Sequence, residues 1–447
     1  MTNSILRAAL MGAFERDNFG DLLFLSETRR YLEEFPLDIT ASAPFPSTGS
    51  VALPGYVRGY VQAAQESRFE LVWVVGGEVG GTTVQDAFRM SSSEELFDEC
   101  QQLSRSERRR RITELSGLSD TASPYLPRMS ALPETLRSTL VVNSVGLSGV
   151  RALRGTHRQE VIHALREATF ISVRDRASSD LLNDLALEHI LAPDLIQSIL
   201  LSHQPDGAAA DHIALVQVKA SILREFGVDN FAAILASSRE LRNFEIRLFS
   251  AGSARGHDSN DLYRRLQRSF KEQSNGRELS LSQALDPISK VDEIAKSGLW
   301  VGTSLHGLII SSAYDVPRVG LELQKLVNYG RTWAETMPIG VAPDDLNSAI
   351  ETALGDSEQS KTSGRARELA QMALSSAQQG IAAAISISVS DIQLQKRIET
   401  ERLISSDRLL LRRRLLDSSR ALVPLVRNSA ISHKLQKNLL VRTMFNK

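Results

Sequence analysis

Short apolar runs of strand length alternate with longer helical patterns along most of this chain, and this alternation limits the possible folds more than any other feature. It is typical of parallel α/β layers. One series runs from Ile5–Phe14 to Glu188–Leu191, and a second from His212–Val218 to Arg318–Leu321. Between them Gln204–Ala210 contains Pro, Gly and small residues without periodicity, which indicates a domain boundary. We therefore expect an α/β protein with two doubly wound Rossmann-like domains that face each other across a cleft.

This plan is glycosyltransferase-B-like. It has an N-terminal α/β domain over residues 1–203, a C-terminal α/β domain over 211–345 and a helical extension over 364–447. Ligands of such folds bind in the cleft at the carboxyl ends of the strands. Polar residues directly after the predicted strands are therefore the first candidates for a site.

The composition excludes several classes of protein. Hydrophobic residues make up 42% and charged residues 23%, as in globular domains. No apolar run approaches the roughly 20 residues of a membrane-spanning helix. The single cysteine, Cys100, excludes an internal disulfide and a multi-thiolate metal site. The net charge of −1 gives no indication of nucleic-acid binding, and we expect a cytoplasmic protein without a metal.

The most specific motif is the segment 300–307 (WVGTSLHG), which follows an apolar strand of the second domain. Thr303 or Ser304 caps a helix whose first turn carries His306. Hydroxyls, free amides and an imidazole at a helix N-terminus favour a phosphate or carboxylate site. The alternative is a histidine that only satisfies local packing. We expect His306 to face the cleft.

Two motifs follow strands of the first domain. The segment 18–21 (NFGD) opens the first helix, where Asp21 either caps the helix or contacts an acceptor hydroxyl. The segment 74–81 (VVGGEVGG) carries two glycine pairs, which either allow close approach of a ligand or form only a tight turn. It matches neither the phosphate-binding loop nor the dinucleotide fingerprint.

Charged residues end two further strands of the first domain. Arg174 and Asp175 lie where a buried strand runs into a helix, and they form either a structural ion pair or part of a reactive site. Asp194 follows the last strand, where it either caps the next turn or anchors the hinge between the domains.

Together, in this order, these motifs resemble those of the polysaccharide pyruvyl transferase family over about residues 5–325. The resemblance implies transfer of an enolpyruvyl-derived group from phosphoenolpyruvate to sugar hydroxyls, with release of phosphate. It implies no cofactor, an acceptor bound on the side of the first domain and a donor bound on the side of the second.

The resemblance and the chemistry together assign candidate roles. His306 fits phosphate binding or general acid work, Arg174 could hold a carboxylate, and Asp21 and Asp175 are candidate bases. The expected donor-binding residues are Thr303, Ser304, His306, Gly307 and Arg174, and the expected acceptor-side residues are Asn18, Gly20, Gly76, Gly77 and Glu78.

One position departs from the family pattern. Many relatives carry arginine directly before Leu-His, where this chain has Ser304. Loss of a fixed cation weakens binding of a dianion, unless another basic residue such as Arg255 or Lys325 reaches the site.

Two other functions remain open from the sequence. A glycosyltransferase of similar fold would use a nucleotide sugar as its donor. A non-catalytic relative would act as a binding or assembly protein through its C-terminal extension. Donor binding and phosphate release distinguish these three possibilities.

The C-terminal extension is basic. Residues 396–447 contain 13 Lys or Arg and 4 Asp or Glu, so this segment carries +9 and the rest of the chain −10. Leucine runs flank the cluster Arg412–Arg414, which favours an amphipathic helix. Such a segment suits either peripheral contact with an anionic membrane surface or packing against protein, including oligomerisation.

Sedimentation with vesicles that contain anionic lipid distinguishes these two interpretations. If the segment binds membranes, the full chain co-sediments, a chain that ends near residue 395 does not, and added salt weakens the binding. Equal sedimentation of both proteins, or binding that salt does not change, would exclude the membrane interpretation.

Overall fold

The structure is a computed structural model that describes residues 6–48, 55–355 and 364–386. Its strands form two sheets. The first sheet contains β1 (Leu6–Met11), β2 (Leu37–Ala43), β3 (Arg58–Gly59), β4 (Leu71–Val74), β5 (Gly77–Glu78), β6 (Thr139–Gly146), β7 (Phe170–Val173) and β8 (Ile190–Leu191). The second sheet contains β9 (Ala210–Gln217), β10 (Glu245–Leu248), β11 (Ser280–Leu281), β12 (Ser297–Gly302), β13 (Arg318–Leu321) and β14 (Ile339–Val341).

Both sheets have the doubly wound strand order. The first runs β3-β2-β1-β4-β6-β7-β8 with β5 beside β6, and the second runs β11-β10-β9-β12-β13-β14. All of these strand pairs are parallel. The order reverses between β1 and β4 and again between β9 and β12, and such switch points are where ligands bind in this class of fold.

The helices connect successive strands and cover the faces of both sheets. They are α1 (Phe19–Leu32), α2 (Tyr60–Ser67), α3 (Val84–Ser91), α4 (Glu94–Gln102), α5 (Arg105–Ser116), α6 (Gly155–Glu167), α7 (Arg176–Asp184), α8 (Ile199–Ser202), α9 (Ala220–Phe226), α10 (Val228–Ser237), α11 (Asn260–Gln273), α12 (Pro287–Lys296), α13 (Leu305–Ala313), α14 (Gln324–Thr332), α15 (Leu346–Gly355) and α16 (Arg365–Ser386).

Burial on both faces explains why the central strands are nearly all apolar. In β1, Ala8 and Leu10 belong to one core cluster while Ala9 and Met11 belong to the cluster on the opposite face. Successive side chains of a strand point to opposite faces, so a strand covered by helices on both sides needs apolar residues at every position. The predicted fold class, two doubly wound α/β domains, is confirmed.

The sequence of residues 94–115 predicts one continuous helix, but this region forms two helices. Helix α4 ends at Gln102, and Ser104 caps the start of α5. The Ser104 hydroxyl accepts the N–H of Glu107 at 3.4 Å, and the Glu107 carboxylate accepts the N–H of Ser104 at 3.1 Å. This reciprocal capping box begins a new helix inside a continuous helical pattern.

Helix α16 returns to the first sheet. Ala377 is fully buried, and a Cβ atom at Gly380 would lie 3.1 Å from the Trp73 ring and 3.2 Å from the Phe170 ring. The extension predicted over 364–447 therefore begins as a helix packed on the first domain, and its basic segment 396–447 lies outside the described residues. Among the residues that are described, no helix combines the length and apolarity needed to span a bilayer.

We predict that Ala377→Arg destabilises the protein by more than about 3 kcal/mol, because it places an unpaired charge in the α16 contact. The matched variant Gln378→Arg adds the same side chain at the neighbouring exposed position and should change stability by less than about 0.5 kcal/mol. Chemical denaturation measures both values. Equal stability of the two variants would contradict the docking of α16.

Candidate functional site

The backbone of the first domain contacts the side chain of His306 in the second. His306 is the second residue of α13, and Gly20 lies at the start of α1. A Cβ atom at residue 20 would stand 1.8 Å from the His306 Nδ1 atom, so glycine alone allows this approach. The strongest sequence motifs of the two domains therefore meet at one point, where the N-terminal ends of two helices converge.

The His306 imidazole is buried among aromatic rings. The residue is 9% exposed, and its ring packs edge-on against Phe24 at a centroid distance of 5.1 Å and against Phe19 at 6.4 Å. Its Nε2 atom has no hydrogen-bond partner among the described residues, and the Asp194 Oδ2 atom lies 3.9 Å away. Burial, and then the charge of Arg174, lower the pKa of His306 to about 3. The imidazole is therefore neutral at pH 7.

Arg174 pairs with Asp194, not with its neighbour in sequence. The Arg174 Nη1 atom donates to Asp194 Oδ2 at 3.0 Å, and its Nη2 atom lies 3.8 Å from Glu78 Oε2. Burial raises the pKa of Asp194, and the charge of Arg174 opposes this rise. Asp175 instead caps α7 by accepting the N–H of Ser178 at 2.8 Å. Its carboxylate therefore has a structural partner, which does not favour the role of catalytic base.

Asp194 also connects the domains. Its backbone N–H donates to the Tyr329 hydroxyl of α14 at 3.3 Å, and its Oδ1 atom accepts the N–H of Ile196 at 3.1 Å. The two interpretations left open by the sequence, a cap for the next turn and an anchor between domains, therefore both hold.

Asp21 forms a buried ion pair with Arg16. The Arg16 Nη2 and Nε atoms donate to Asp21 Oδ2 at 2.8 and 3.0 Å. Burial by itself would raise the pKa of Asp21, but Arg16 and His306 outweigh it and the pKa is lowered. The cap of α1 is Asn18, whose Oδ1 atom accepts the N–H of Gly20 at 3.2 Å. Asp21 thus stays ionised beside His306 instead of capping the helix.

A buried acid behind this pair was not predicted from the sequence. The Tyr125 hydroxyl donates to Glu15 Oε1 at 2.6 Å, and the Arg16 guanidinium lies 5.5 Å from the centroid of the Tyr125 ring. Burial raises the pKa of Glu15 to about 7. The position of Glu15 and Arg16 just after the first strand was a usable signal, whereas Tyr125 lies in an irregular segment without one.

The residues next to His306 in sequence mostly stabilise the turn between β12 and α13. Thr303 donates through its N–H and its hydroxyl to Gln217 Oε1 at 2.9 and 3.0 Å. Ser304 caps α13 by accepting the N–H of Gly307 at 3.2 Å. A Cβ atom at Gly307 would lie 2.4 Å from the Trp300 ring, so glycine is required there. These residues hold the helix end in place, and none of the three side chains is a cation.

The glycines after β4 bring the backbone close to Asp21. Gly76 and Gly77 have φ angles of +143° and +89°, which favour glycine. A Cβ atom at Gly77 would lie 3.7 Å from the Asp21 Oδ1 atom. Glu78 accepts hydrogen bonds from the Ser148 hydroxyl and the Gly149 N–H at 3.2 and 3.1 Å. This segment therefore forms the wall of the site on the side of the first domain.

Of the two cations considered as substitutes for an arginine at position 304, only Lys325 is near His306. Its charge interacts with Arg174, Lys219 and Asp21, and its side chain is accessible to solvent. Loss of hydration in the cleft, and then the positive charges of Arg174 and Lys219, lower the pKa of Lys325 to about 8. Because the side chain remains accessible to solvent, water screens part of this effect.

Arg255 points elsewhere. Its guanidinium lies 4.1 Å from the centroid of the Phe97 ring, and its Nε atom donates to the carbonyl of Arg89 at 3.2 Å. Arg255 therefore contacts the first domain at α3 and α4 and is not a substitute cation for the site.

A cavity of about 960 Å³ lies apart from these residues. It is lined by α9, α14 and β14, including Phe226, Val327 and Ile339. Val327 lies on the side of α14 opposite Tyr329, which contacts Asp194, so the cavity is on the far side of this helix from the site. No group of three or more metal-binding side chains occurs within the described ranges.

The sequence profile of the polysaccharide pyruvyl transferase family matches residues 18–324, a span that runs from Asn18 through Arg174 to His306. No curated protein matches the chain.

Solved structures resemble this chain at low sequence identity. A protein assigned as a UDP-N-acetylglucosamine 2-epimerase from Listeria monocytogenes aligns with a TM-score of 0.50 at 11% identity, over 85% of this chain and 96% of its own. The UDP-N-acetylglucosamine 2-epimerase of Methanocaldococcus jannaschii aligns with a TM-score of 0.49 at 13% identity, over 78% and 92% of the two chains. The chain has the glycosyltransferase-B fold.

We predict that His306→Gln makes the protein less sensitive to acid. The unfolded chain protonates His306 below its ordinary pKa of 6.5, whereas the folded protein does so only near 3. The neutral His306 therefore adds to the free energy of unfolding fully above pH 6.5, and this stabilisation is lost as the pH falls, by about 1.4 kcal/mol per pH unit. Between pH 7 and 5 the free energy of unfolding of the unmodified protein should therefore fall by about 2 kcal/mol more than that of the variant.

Urea denaturation at the two pH values measures this difference. His157→Gln, at a partly exposed position of α6, serves as the control and should follow the unmodified protein. An equal loss of stability in His306→Gln would show that the imidazole is not held neutral.

Proposed function

Because this chain belongs to the polysaccharide pyruvyl transferase family, we propose that it transfers a pyruvyl group from phosphoenolpyruvate to hydroxyls of a sugar. The acceptor is a polysaccharide or a lipid-linked sugar, and phosphate is the leaving group. We propose that the reaction takes place on the cytoplasmic side of a membrane, with residues 396–447 as the segment available for peripheral contact.

The observation that carries this proposal is the contact of His306 with Gly20. It brings an unpartnered imidazole nitrogen, the Asp21–Arg16 pair and the Arg174–Asp194 pair to the switch points of both sheets. A transferase needs its donor and acceptor in one space, and the cleft between two doubly wound domains provides such a space.

The reaction sets clear requirements. Formation of a cyclic ketal joins two acceptor oxygens to C2 of the pyruvyl group and breaks its bond to the phosphate oxygen. One hydroxyl proton ends on the methylene carbon, which becomes a methyl group, and the other leaves with phosphate. The site must therefore accept protons from hydroxyls, deliver one to carbon and bind a multiply charged anion.

We assign the proton-accepting role to His306. The imidazole is neutral at pH 7, so it can accept a hydroxyl proton, and its Nε2 atom has no hydrogen-bond partner among the described residues. The Asp194 carboxylate at 3.9 Å would stabilise the imidazolium that forms. An anionic donor would raise the pKa of His306 from this lowered value, which allows the same residue to return the proton as an acid.

The other charged residues support this centre. Arg174 holds Asp194 in place, since its guanidinium already pairs with that carboxylate and lies near Glu78. Asp21, ionised and held by Arg16, is placed to orient an acceptor hydroxyl. Asp175 has no part in this scheme, because it caps α7.

Phosphate release from phosphoenolpyruvate in the presence of candidate acceptor sugars tests the proposal. We predict that release depends on the acceptor and that His306→Ala lowers kcat by roughly 100-fold or more, as expected for loss of a proton-transfer group. Asp21→Asn should also lower kcat by roughly 100-fold or more, because the acceptor hydroxyl loses the carboxylate that orients it. His157→Ala is the control and should retain activity.

Two results would overturn the proposal. Binding of a nucleotide sugar with no binding of phosphoenolpyruvate would favour the glycosyltransferase alternative. Binding of neither donor, together with capture of a protein partner by the C-terminal extension, would indicate a non-catalytic relative.

A further inference from the structure

We propose that Lys219 and Lys325 form the subsite for the phosphate group of the donor, beside the N-terminus of α13. This inference rests on the function proposed above for its choice of donor. The two lysines, which follow the ends of β9 and β13, would bind the doubly charged phosphate group.

Lys219 is held beside the His306 loop by backbone contacts. It follows β9, whose residue Gln217 pairs in register with Gly302 at the end of β12. The Lys219 N–H donates to the Thr303 hydroxyl at 3.1 Å, and Thr303 directly precedes the cap of α13. The lysine backbone therefore lies next to the start of that helix, while its half-buried side chain remains available.

Lys325 approaches from the other side, on α14. It lies four residues before Tyr329, so the two side chains share one face of the helix. The Tyr329 hydroxyl accepts the N–H of Asp194, whose carboxylate is 3.9 Å from His306 Nε2. This face of α14 thus looks toward His306, and the charge of Lys325 interacts with Lys219 and Arg174.

Other charged side chains near the site form ion pairs with one another, and none of these pairs includes Lys219 or Lys325. Asp21 pairs with Arg16 at 2.8 Å, and Asp194 pairs with Arg174 at 3.0 Å. Within the described part of the chain, neither Lys219 nor Lys325 has a carboxylate within ion-pairing distance, and neither ammonium group donates a hydrogen bond.

Asp258, the other nearby carboxyl, is also occupied by hydrogen bonds. It accepts from the Gln217 side chain at 2.7 Å and from the Ala251 N–H at 2.7 Å. Burial raises the pKa of Asp258 to about 7, so it carries only part of a charge at neutral pH. The positive charge of the two lysines is therefore not neutralised by the protein itself.

Two uncompensated ammonium groups next to a helix N-terminus favour a compact dianion. Ammonium groups are mobile point charges that suit phosphate, and the helix end adds partial positive charge and free N–H groups. A phosphate monoester carries this charge on one group, which matches the donor proposed above.

Kinetics and direct binding test the subsite in the full chain. We expect Lys325→Ala and Lys219→Ala each to raise the KM for phosphoenolpyruvate and the Kd for inorganic phosphate roughly 10- to 100-fold, with little change in kcat. Lys271→Ala removes one positive charge from a surface pair with Glu278 and serves as the control for net charge. Unchanged KM and Kd in both cleft variants would overturn the proposal.

Lys325→Arg distinguishes charge from packing. Because the pKa of Lys325 is lowered to about 8, the unmodified protein should lose affinity for inorganic phosphate as the pH rises above 8, whereas arginine remains charged. The charged groups that act on Lys325 are Arg174, Lys219, Asp21 and Asp258. A flat profile in Lys325→Arg with affinity near that of the unmodified protein supports direct contact. Affinity as low as in Lys325→Ala would mark the lysine as structural and overturn the assignment.

The phosphate measurement separates this inference from the proposed function. If the chain does not turn over phosphoenolpyruvate but both lysine variants still lose phosphate binding, the anion site stands and the donor is wrong. If turnover occurs and the lysine variants bind phosphate and donor normally, the reaction stands and the subsite is wrong.

Discussion

The contact between the His306 side chain and the Gly20 backbone determines how the rest of the site is arranged. A side chain at residue 20 would overlap the imidazole, so the two helix ends approach this closely only because the residue is glycine. Hydrogen bonds hold the same region together, since the Phe19 N–H donates to the carbonyl of Ala251 at 2.8 Å and the Ser253 N–H donates to the Asp17 carboxylate at 2.9 Å. The residues of the candidate site therefore come from both domains.

Charge compensation is the second constraint. A buried cation is tolerated where a carboxylate pairs with it, and Arg16 with Asp21 and Arg174 with Asp194 follow this rule. The imidazole between these pairs avoids a buried charge by remaining neutral. Lys325 is solvent-accessible and Lys219 is half-buried, so water stabilises the charge of these two lysines near the candidate site.

The sequence predicted the fold and the location of the candidate site better than it predicted which side chains contact one another there. Strands buried on both faces are mostly apolar, so most of them could be predicted directly, whereas β3 and β5 consist of Arg-Gly and Gly-Glu and contain no apolar run. Strand-end motifs identified Gly20 and His306. The partners were not predictable, because Arg174 bonds to Asp194, 20 residues away, and not to adjacent Asp175. Lys219 carries no motif and becomes notable only beside Thr303.

The buried position of His306 links its charge to the occupancy of the site. The imidazole packs against Phe24, and its Nε2 atom is inaccessible to solvent. In the anion subsite proposed above, an anion beside Lys325 would add negative charge near the imidazole and make its protonated form less costly. Under that proposal, donor binding and proton uptake by His306 would favour each other.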